Sequence, residues 1–156
     1  MKILVMSDTH GNTSCAFKAH TCSEPVEAVI HLGDGSADAD LLREVLDVPV
    51  INVAGNCDPG SGAPRELVWE CKGKRFLLTH GDAYRVKSGL ASLYQRAQEV
   101  NVDAVLFGHT HQGFAKDYSG LLFVNPGALS NAGPHRSYAV LTITEAGITA
   151  VHYDID

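Results

Sequence analysis

The chain is poor in aromatic residues and in charge. Phe, Trp and Tyr make up 7% of its 156 residues, and Asp, Glu, Lys and Arg together 19%. Apolar residues reach 45%, enough to build a core, so low aromatic content does not signal disorder. There is no basic run. With 12 Lys and Arg against 18 Asp and Glu, the formal net charge is -6. Nonspecific nucleic-acid binding depends on clustered cations that neutralise phosphates, so it is not expected here. The four cysteines, Cys15, Cys22, Cys57 and Cys71, form no Cys-x-x-Cys pair. That argues against zinc-ribbon and thioredoxin-like readings and leaves free thiols in a reducing, cytoplasmic setting as the expectation. No stretch approaches the ~20 apolar residues of a membrane helix. The apolar start, Met1 to Met6, turns polar at Ser7-Asp8, too early for a signal peptide. A single domain over residues 1–156, without a membrane partner, is expected. Homo-oligomer formation is left open.

Short apolar runs alternate with helical patterns through the first two-thirds. Ile3–Met6, Ala28–Leu32 and Pro49–Val53 read as strands, Ser14–Thr21 and Ala39–Leu46 as helices. The second helix is expected to pack Leu41, Leu42, Val45 and Leu46 on one face. Leu67–Cys71 and Arg75–Thr79 form a hairpin candidate through Lys72-Gly73-Lys74. Ser88–Val100 reads as a helix and Ala104–Phe107 as a buried strand. Beyond Gly113 the pattern becomes β hairpins: Phe114–Asp117 with Leu121–Val124, then Tyr138–Thr144 with Ile148–Tyr153. The sum is an α/β protein with two packed sheets and helices outside.

Five of the apolar runs end on a residue able to bind a metal. They lead into Asp8 and His10, into Asp34, into Asn56, into His80, and into His109 and His111. Open α/β sheets bind ligands beyond the carboxyl ends of their strands. Each residue alone has an ordinary explanation: an Asp after a strand caps helices or makes Asx turns, and Gly-Asp and Gly-Asn are turn dipeptides. His20, His31, His135 and His152 are read in that ordinary way, as satisfied or exposed. The joint occurrence of four histidines, two aspartates and an asparagine at strand ends is what turn chemistry explains badly.

The donor set also makes electrostatic sense. Carboxylate, amide oxygen and imidazole suit Mn, Fe, Ni or Zn. Two divalent ions bring four positive charges, and Asp8 and Asp34 remove two. The remainder can hold a phosphate on an acidic protein. Ions roughly 3.5–4 Å apart can share a hydroxide nucleophile and clamp phosphoryl oxygens.

Asp8-x-His10, Gly33-Asp34, Gly55-Asn56, His80-Gly81 and Gly108-His109-x-His111, in this order, resemble the calcineurin-like metallophosphoesterases. The size and Gly55-Asn56-Cys57-Asp58 are most similar to the small bacterial and archaeal phosphodiesterase branch, and Asn125-Pro126-Gly127 also recurs there. The resemblance spans nearly the whole chain. It implies a four-layer αββα sandwich of two mixed β-sheets flanked by helices. It implies hydrolysis of a phosphate-ester substrate with two divalent metal ions, manganese first. Asp8, His10, Asp34 and His111 would hold one ion. Asp34 would bridge to a second, held also by Asn56, His80 and His109. Asn56, His109 and Cys57 are the positions expected to act on the substrate.

Two positions depart from the pattern. Much of the wider family has His where Cys57 stands; that His contacts substrate and can protonate the leaving group. Relatives in this branch often carry His where Asp82 stands. Asp82 can accept a hydrogen bond from a ligand imidazole or repel an anionic substrate. Other chemistries fit less well. Gly55 to Gly62 lacks the Lys-Ser/Thr ending of a P-loop, Gly33-Asp34-Gly35 lacks a third glycine, and a Cys-x5-Arg phosphatase would need Arg where Ala63 stands. The main rival is a protein-binding scaffold, because the fold also resembles a retromer subunit with an eroded metal site. Here all seven ligand positions are intact.

Overall fold

The computed structural model describes residues 1–156. Ten strands and three α-helices follow in the order β1 (Lys2–Met6), α1 (Thr13–Ser23), β2 (Ala28–His31), α2 (Ser36–Val45), β3 (Val50–Asn52), β4 (Glu66–Cys71), β5 (Lys74–Thr79), α3 (Ala91–Val100), β6 (Ala104–Leu106), β7 (Gly113–Tyr118), β8 (Leu121–Pro126), β9 (Ser137–Thr144) and β10 (Gly147–Asp154). They form two five-stranded mixed sheets, ordered β10-β9-β1-β2-β3 and β4-β5-β6-β8-β7.

Period-two alternation sorts the core into layers. Ile3, Val5, Ile30, Phe76, Leu78, Leu106 and Leu141 fill the space between the sheets. Their neighbours Leu4, Met6 and Val29 point the other way, onto Ala16 and Ala19 of α1 and Leu42 of α2. Leu77, Val105 and Phe123 pack against Leu93 and Ala97 of α3. Strands β1, β2, β5 and β6 therefore have apolar side chains on both faces, which is why they read as unbroken apolar runs. The layers are α1 and α2, sheet, sheet, α3. This is the expected αββα sandwich.

Two helices differ from expectation. α2 begins at Ser36, three residues earlier, directly behind the Asp34 loop. Its buried face is Ser36, Asp38, Ala39 and Leu42, whereas Leu41 and Val45 are exposed. The reason is polar: Asp38 turns inward to accept hydrogen bonds from Thr9 Oγ1 and the Gly11 N–H. α3 begins at Ala91 rather than Ser88. A short 3-10 turn (Asp82–Tyr84), Arg85 in a left-handed conformation and Gly89 at φ 140° occupy the lead-in. The β4–β5 hairpin is as expected. Lys72 and Gly73 both take positive φ, as a two-residue type I′ loop requires.

Candidate metal centre

The carboxyl ends of five strands meet at one end of the sandwich, but they come from both sheets. β1, β2 and β3 carry Asp8, His10, Asp34 and Asn56 in the loops that follow them. β5 and β6 of the other sheet carry His80, His109 and His111. Short backbone bonds lock the loops together. The Asp8 N–H donates to Gly33 O and the His10 N–H to Asp34 O, both at 3.0 Å, and the Gly108 N–H donates to His80 O at 3.0 Å.

The backbone here is strained. Asp8, His10, Asp34, His109 and His111 all have φ between 45° and 70°. The left-handed region is unfavourable for such residues, and surrounding structure has to hold them there. Close packing forbids side chains next to them. A Cβ on Gly55 would lie 2.0 Å from Asp34 Oδ1, and one on Gly108 would lie 2.1 Å from Ser7 Oγ. The glycines of the Gly-Asn and Gly-His motifs thus make room for the carboxylates.

Each buried aspartate uses one oxygen for the protein and turns the other inward. Asp8 Oδ2 accepts from Ser7 Oγ at 2.5 Å and from the His109 N–H at 3.1 Å. Its Oδ1 lies 3.0 Å from His111 Nε2 and 3.7 Å from His10 Nε2. Asp34 Oδ1 accepts from the Cys57 N–H at 2.8 Å. Its Oδ2 lies 3.3 Å from His80 Nε2 and 3.7 Å from His10 Nε2. Two donor triads result, Asp8–His10–His111 and Asp34–His80–His109, each with its ligand atoms within 4.8 Å of one another. Six of the seven expected ligand residues are in them. Asn56 is in the adjoining loop, exposed, with its amide nitrogen donating to Cys57 Sγ at 3.5 Å.

His80 provides the test of whether a cation fits. Its Nδ1 faces Leu32 O at 2.8 Å. A carbonyl can only accept, so Nδ1 carries hydrogen. In neutral imidazole Nε2 then presents a lone pair, aimed at Asp34 Oδ2 and at His109 Nδ1, 3.2 Å away. Lone pair against carboxylate is repulsive unless positive charge sits between them. Burial lowers the proton affinity of His80, yet a hydrogen bond to the Asp34 carboxylate and the charge of Asp8 outweigh it and hold His80 above its usual range. For Asp34, burial raises its pKa, but His80 and the Cys57 N–H pull it well below the carboxylate norm. His109 is pushed down by burial, then by His80 and Lys87. The residues fit a divalent metal: two carboxylates and four imidazoles, with the His80 tautomer fixed by Leu32 O.

A third group, His10, Asp34 and Cys57, also brings its ligand atoms within 4.8 Å. Cys57 is therefore at the crevice. Burial, then Asp34, pushes its thiol pKa up, so it holds its proton.

Several residues outside the ligand set support the crevice. Asp58 accepts backbone N–H bonds from Asp34 at 2.7 Å, Gly35 at 3.0 Å, Ser36 at 2.9 Å and Gly55 at 2.8 Å. Thr9, Asp38 and His31 form a buried chain behind the Asp8–His10 loop: Thr9 Oγ1 lies 2.5 Å from Asp38 Oδ2 and 2.9 Å from His31 Nε2. Fully buried Asn125 donates to Gly108 O at 2.9 Å and to Thr110 Oγ1 at 3.0 Å, which shapes the His109–His111 turn. His152 satisfies Asn125 O at 2.7 Å. Asp82 pairs with Arg65 at 2.5 Å, and Arg65 also donates to Gly55 O at 2.7 Å. Arg65 thus ties the Gly55 loop to Asp82 and offsets its charge.

A family model, the calcineurin-like phosphoesterase superfamily domain, matches residues 1–146. The chain belongs to that superfamily. With membership comes the reaction class, metal-dependent hydrolysis of phosphate esters. Probable metallophosphoesterase YsnB of Bacillus subtilis (strain 168) is 32% identical, over 99% of this chain and 91% of its own. Phosphodiesterase MJ0936 of Methanocaldococcus jannaschii is 30% identical, over 81% of this chain and 83% of its own. The crystal structure of a predicted phosphoesterase from Streptococcus pneumoniae TIGR4 superposes with TM-score 0.83 at 28% identity, covering 98% of this chain and 88% of that one. The calcineurin-like resemblance read from the motifs is borne out. All four cysteines are free, and no helix is long and apolar enough to cross a membrane.

Proposed function

We propose that this phosphoesterase is a dinuclear phosphodiesterase. The observation that carries the reading is the meeting of two donor triads, Asp8–His10–His111 and Asp34–His80–His109, in one crevice. Asp8, His10, Asp34 and His111 would hold one ion, and Asp34, Asn56, His80 and His109 the other. Asp34 Oδ2 suits the shared position, since it lies 3.3 Å from His80 of one triad and 3.7 Å from His10 of the other, whereas Asp8 Oδ1 is 3.8 Å from His80. Four imidazoles suit manganese, iron, nickel or zinc better than magnesium, which prefers water and carboxylates. Manganese is the ion proposed. When bound, such a pair acidifies water and draws charge from phosphoryl oxygens.

The chain's own residues do the rest. Leu32 O fixes the His80 tautomer and aims Nε2 into the crevice. The His109 N–H and Ser7 hold Asp8 so that Oδ1 faces inward. Asn56, Cys57 and His109 border the position of the reacting phosphoryl group. In the metal-free chain, burial and Asp34 keep the proton on Cys57. A thiol is a weak hydrogen-bond donor, so it gives an alkoxide leaving group little help. A diester with an acidic leaving group needs none. The diesterase name of the relative MJ0936 points the same way.

The test is a screen of manganese-loaded protein against aryl and alkyl phosphodiesters and monoesters, each repeated in excess chelator. Aryl diesters should be hydrolysed fastest, alkyl monoesters slowest, and chelator should stop both. A manganese-saturated protein that turns over no ester would end the reading.

A further inference from the structure

Beside the His109–His111 turn lies a hollow of about 400 Å³, lined by Val86, Lys87, Leu90, Phe107, Thr110, Gln112, Gly113 and Phe114. It is joined to the metal centre by the chain itself. Thr110 sits between the two histidines, and Phe107 leads into them from β6. Phe107 is buried and meets Phe114 edge to face, with ring centroids 6.3 Å apart at 62°. Val86 is buried and Leu90 half-buried. Thr110 Oγ1 is fixed by Asn125, so the wall nearest the centre is rigid. Lys87 is exposed on the rim. The volume is in the range of small-molecule sites and suits one ring system with its substituents.

We infer that this hollow binds one ester group of the substrate, a flat aromatic group such as an aryl ring or a nucleobase, with Lys87 on its rim. The inference rests on the phosphodiesterase reading. Aromatic walls set edge to face favour a flat ring over a flexible alkyl chain. A cation on the rim of the hollow favours an anionic substrate that an acidic chain otherwise repels. Asp82 does not cancel Lys87, because Arg65 already pairs with it. A second hollow, of Leu90, Ala91, Tyr94, Tyr118 and Phe123, lies at the far end of β7 from the histidine turn and takes no part.

The test compares methyl 4-nitrophenyl phosphate with bis(2,2,2-trifluoroethyl) phosphate, on wild type and on Phe114→Ala and Leu90→Ala. Both are activated diesters, but only one carries a ring. The variants should raise KM for the nitrophenyl ester by roughly 10-fold, the loss of about one aromatic contact. KM for the trifluoroethyl ester and kcat for both should hardly change. In parallel, phenylphosphonate should shift the methyl resonances of Val86 and Leu90 in metal-loaded protein, and methylphosphonate should not. Turnover of both esters with equal KM changes, or no methyl shift with phenylphosphonate, overturns the inference and leaves the phosphodiesterase reading standing. Turnover of neither ester refutes that reading, and this inference falls with it.

Discussion

Asp58 and Asp34 come from loops that follow different strands, yet the Asp58 carboxylate accepts the Asp34 N–H at 2.7 Å. The same carboxylate holds the N–H groups of Gly35, Ser36 and Gly55. Burial raises its pKa, but the four N–H groups outweigh that and keep Asp58 ionised. It is a clasp between the Asp34 loop and the Gly55-Asn56 loop. A carboxamide has only one oxygen to accept with, so Asp58→Asn must leave some of those N–H groups unpaired. Metal affinity should fall about 10- to 100-fold, as for other residues that orient ligands. Stability should fall by about 1–3 kcal/mol. Calorimetric metal titration and thermal melting with and without manganese check both. A variant that melts lower but binds metal as well as wild type would limit Asp58 to a structural role.

Metal dependence follows from the donor set. Excess chelator should abolish hydrolysis, and added manganese should restore it better than magnesium, because the crevice offers four imidazoles. Verified metal-free protein with full activity would contradict this. Bound metal should also raise the melting temperature, since it binds the folded crevice and not the unfolded chain.

The motifs made the ligand positions legible because each is a run of apolar residues that stops at a donor. Strands buried on both faces have that appearance whichever sheet they join, so the sequence could not divide β1, β2 and β3 from β5 and β6. The positive φ values of Asp8, His10, Asp34, His109 and His111 were not legible either. They are set by loop-to-loop contacts far apart in sequence. The start of α2 is hidden in the sequence because Ser36, Ala37 and Asp38 look like loop residues. Asp38 is drawn inward by Thr9, 29 positions away, and no local pattern carries that.

Shared and unshared ligands should separate on substitution. Asp34 Oδ2 lies near histidines of both triads, whereas His111 approaches Asp8 alone. Asp34→Asn should reduce the bound metal toward one ion or none per chain, and His111→Asn should damage mainly one site. Elemental analysis of purified variants decides it. Two tightly held ions in Asp34→Asn would remove Asp34 from the bridging position.

Away from the centre, Glu66 on β4 binds Arg96 of α3 at 2.7 Å and accepts from Tyr84 of the 3-10 turn. Burial acts to raise its pKa, but Arg96 and Tyr84 hold it below the ordinary value of 4.5. A depressed carboxylate stabilises the folded chain above its unfolded pKa and loses that contribution as pH falls through the folded value. Metal-free wild type should therefore exceed Glu66→Gln in stability by about 1 kcal/mol at neutral pH, a small figure because Arg96 is partly solvated. The gap should close as the pH falls below 4.5. Urea unfolding of both proteins at neutral and acidic pH measures it, and a gap independent of pH would mean that packing, not charge, joins these elements.

Cys57 is the residue on which substrate range should turn. Its N–H is committed to Asp34 Oδ1 at 2.8 Å, and its Sγ accepts from Asn56 at 3.5 Å. The backbone role survives any side chain. The thiol is protonated, exposed and close to His10 and Asp34. It can therefore do one of three things: lend a weak proton to the leaving group, ligate a metal, or simply fill space beside Asn56. Substitution separates them. If protonation limits the reaction, Cys57→His should speed alkyl esters most, because imidazole is the stronger and longer donor, while Cys57→Ala leaves aryl esters little changed. Loss of bound metal in Cys57→Ala, with His10 and Asp34 intact, would make the thiol a ligand instead. Equal effects on aryl and alkyl esters with full metal content would leave Cys57 as a packing residue, with the leaving group departing unaided.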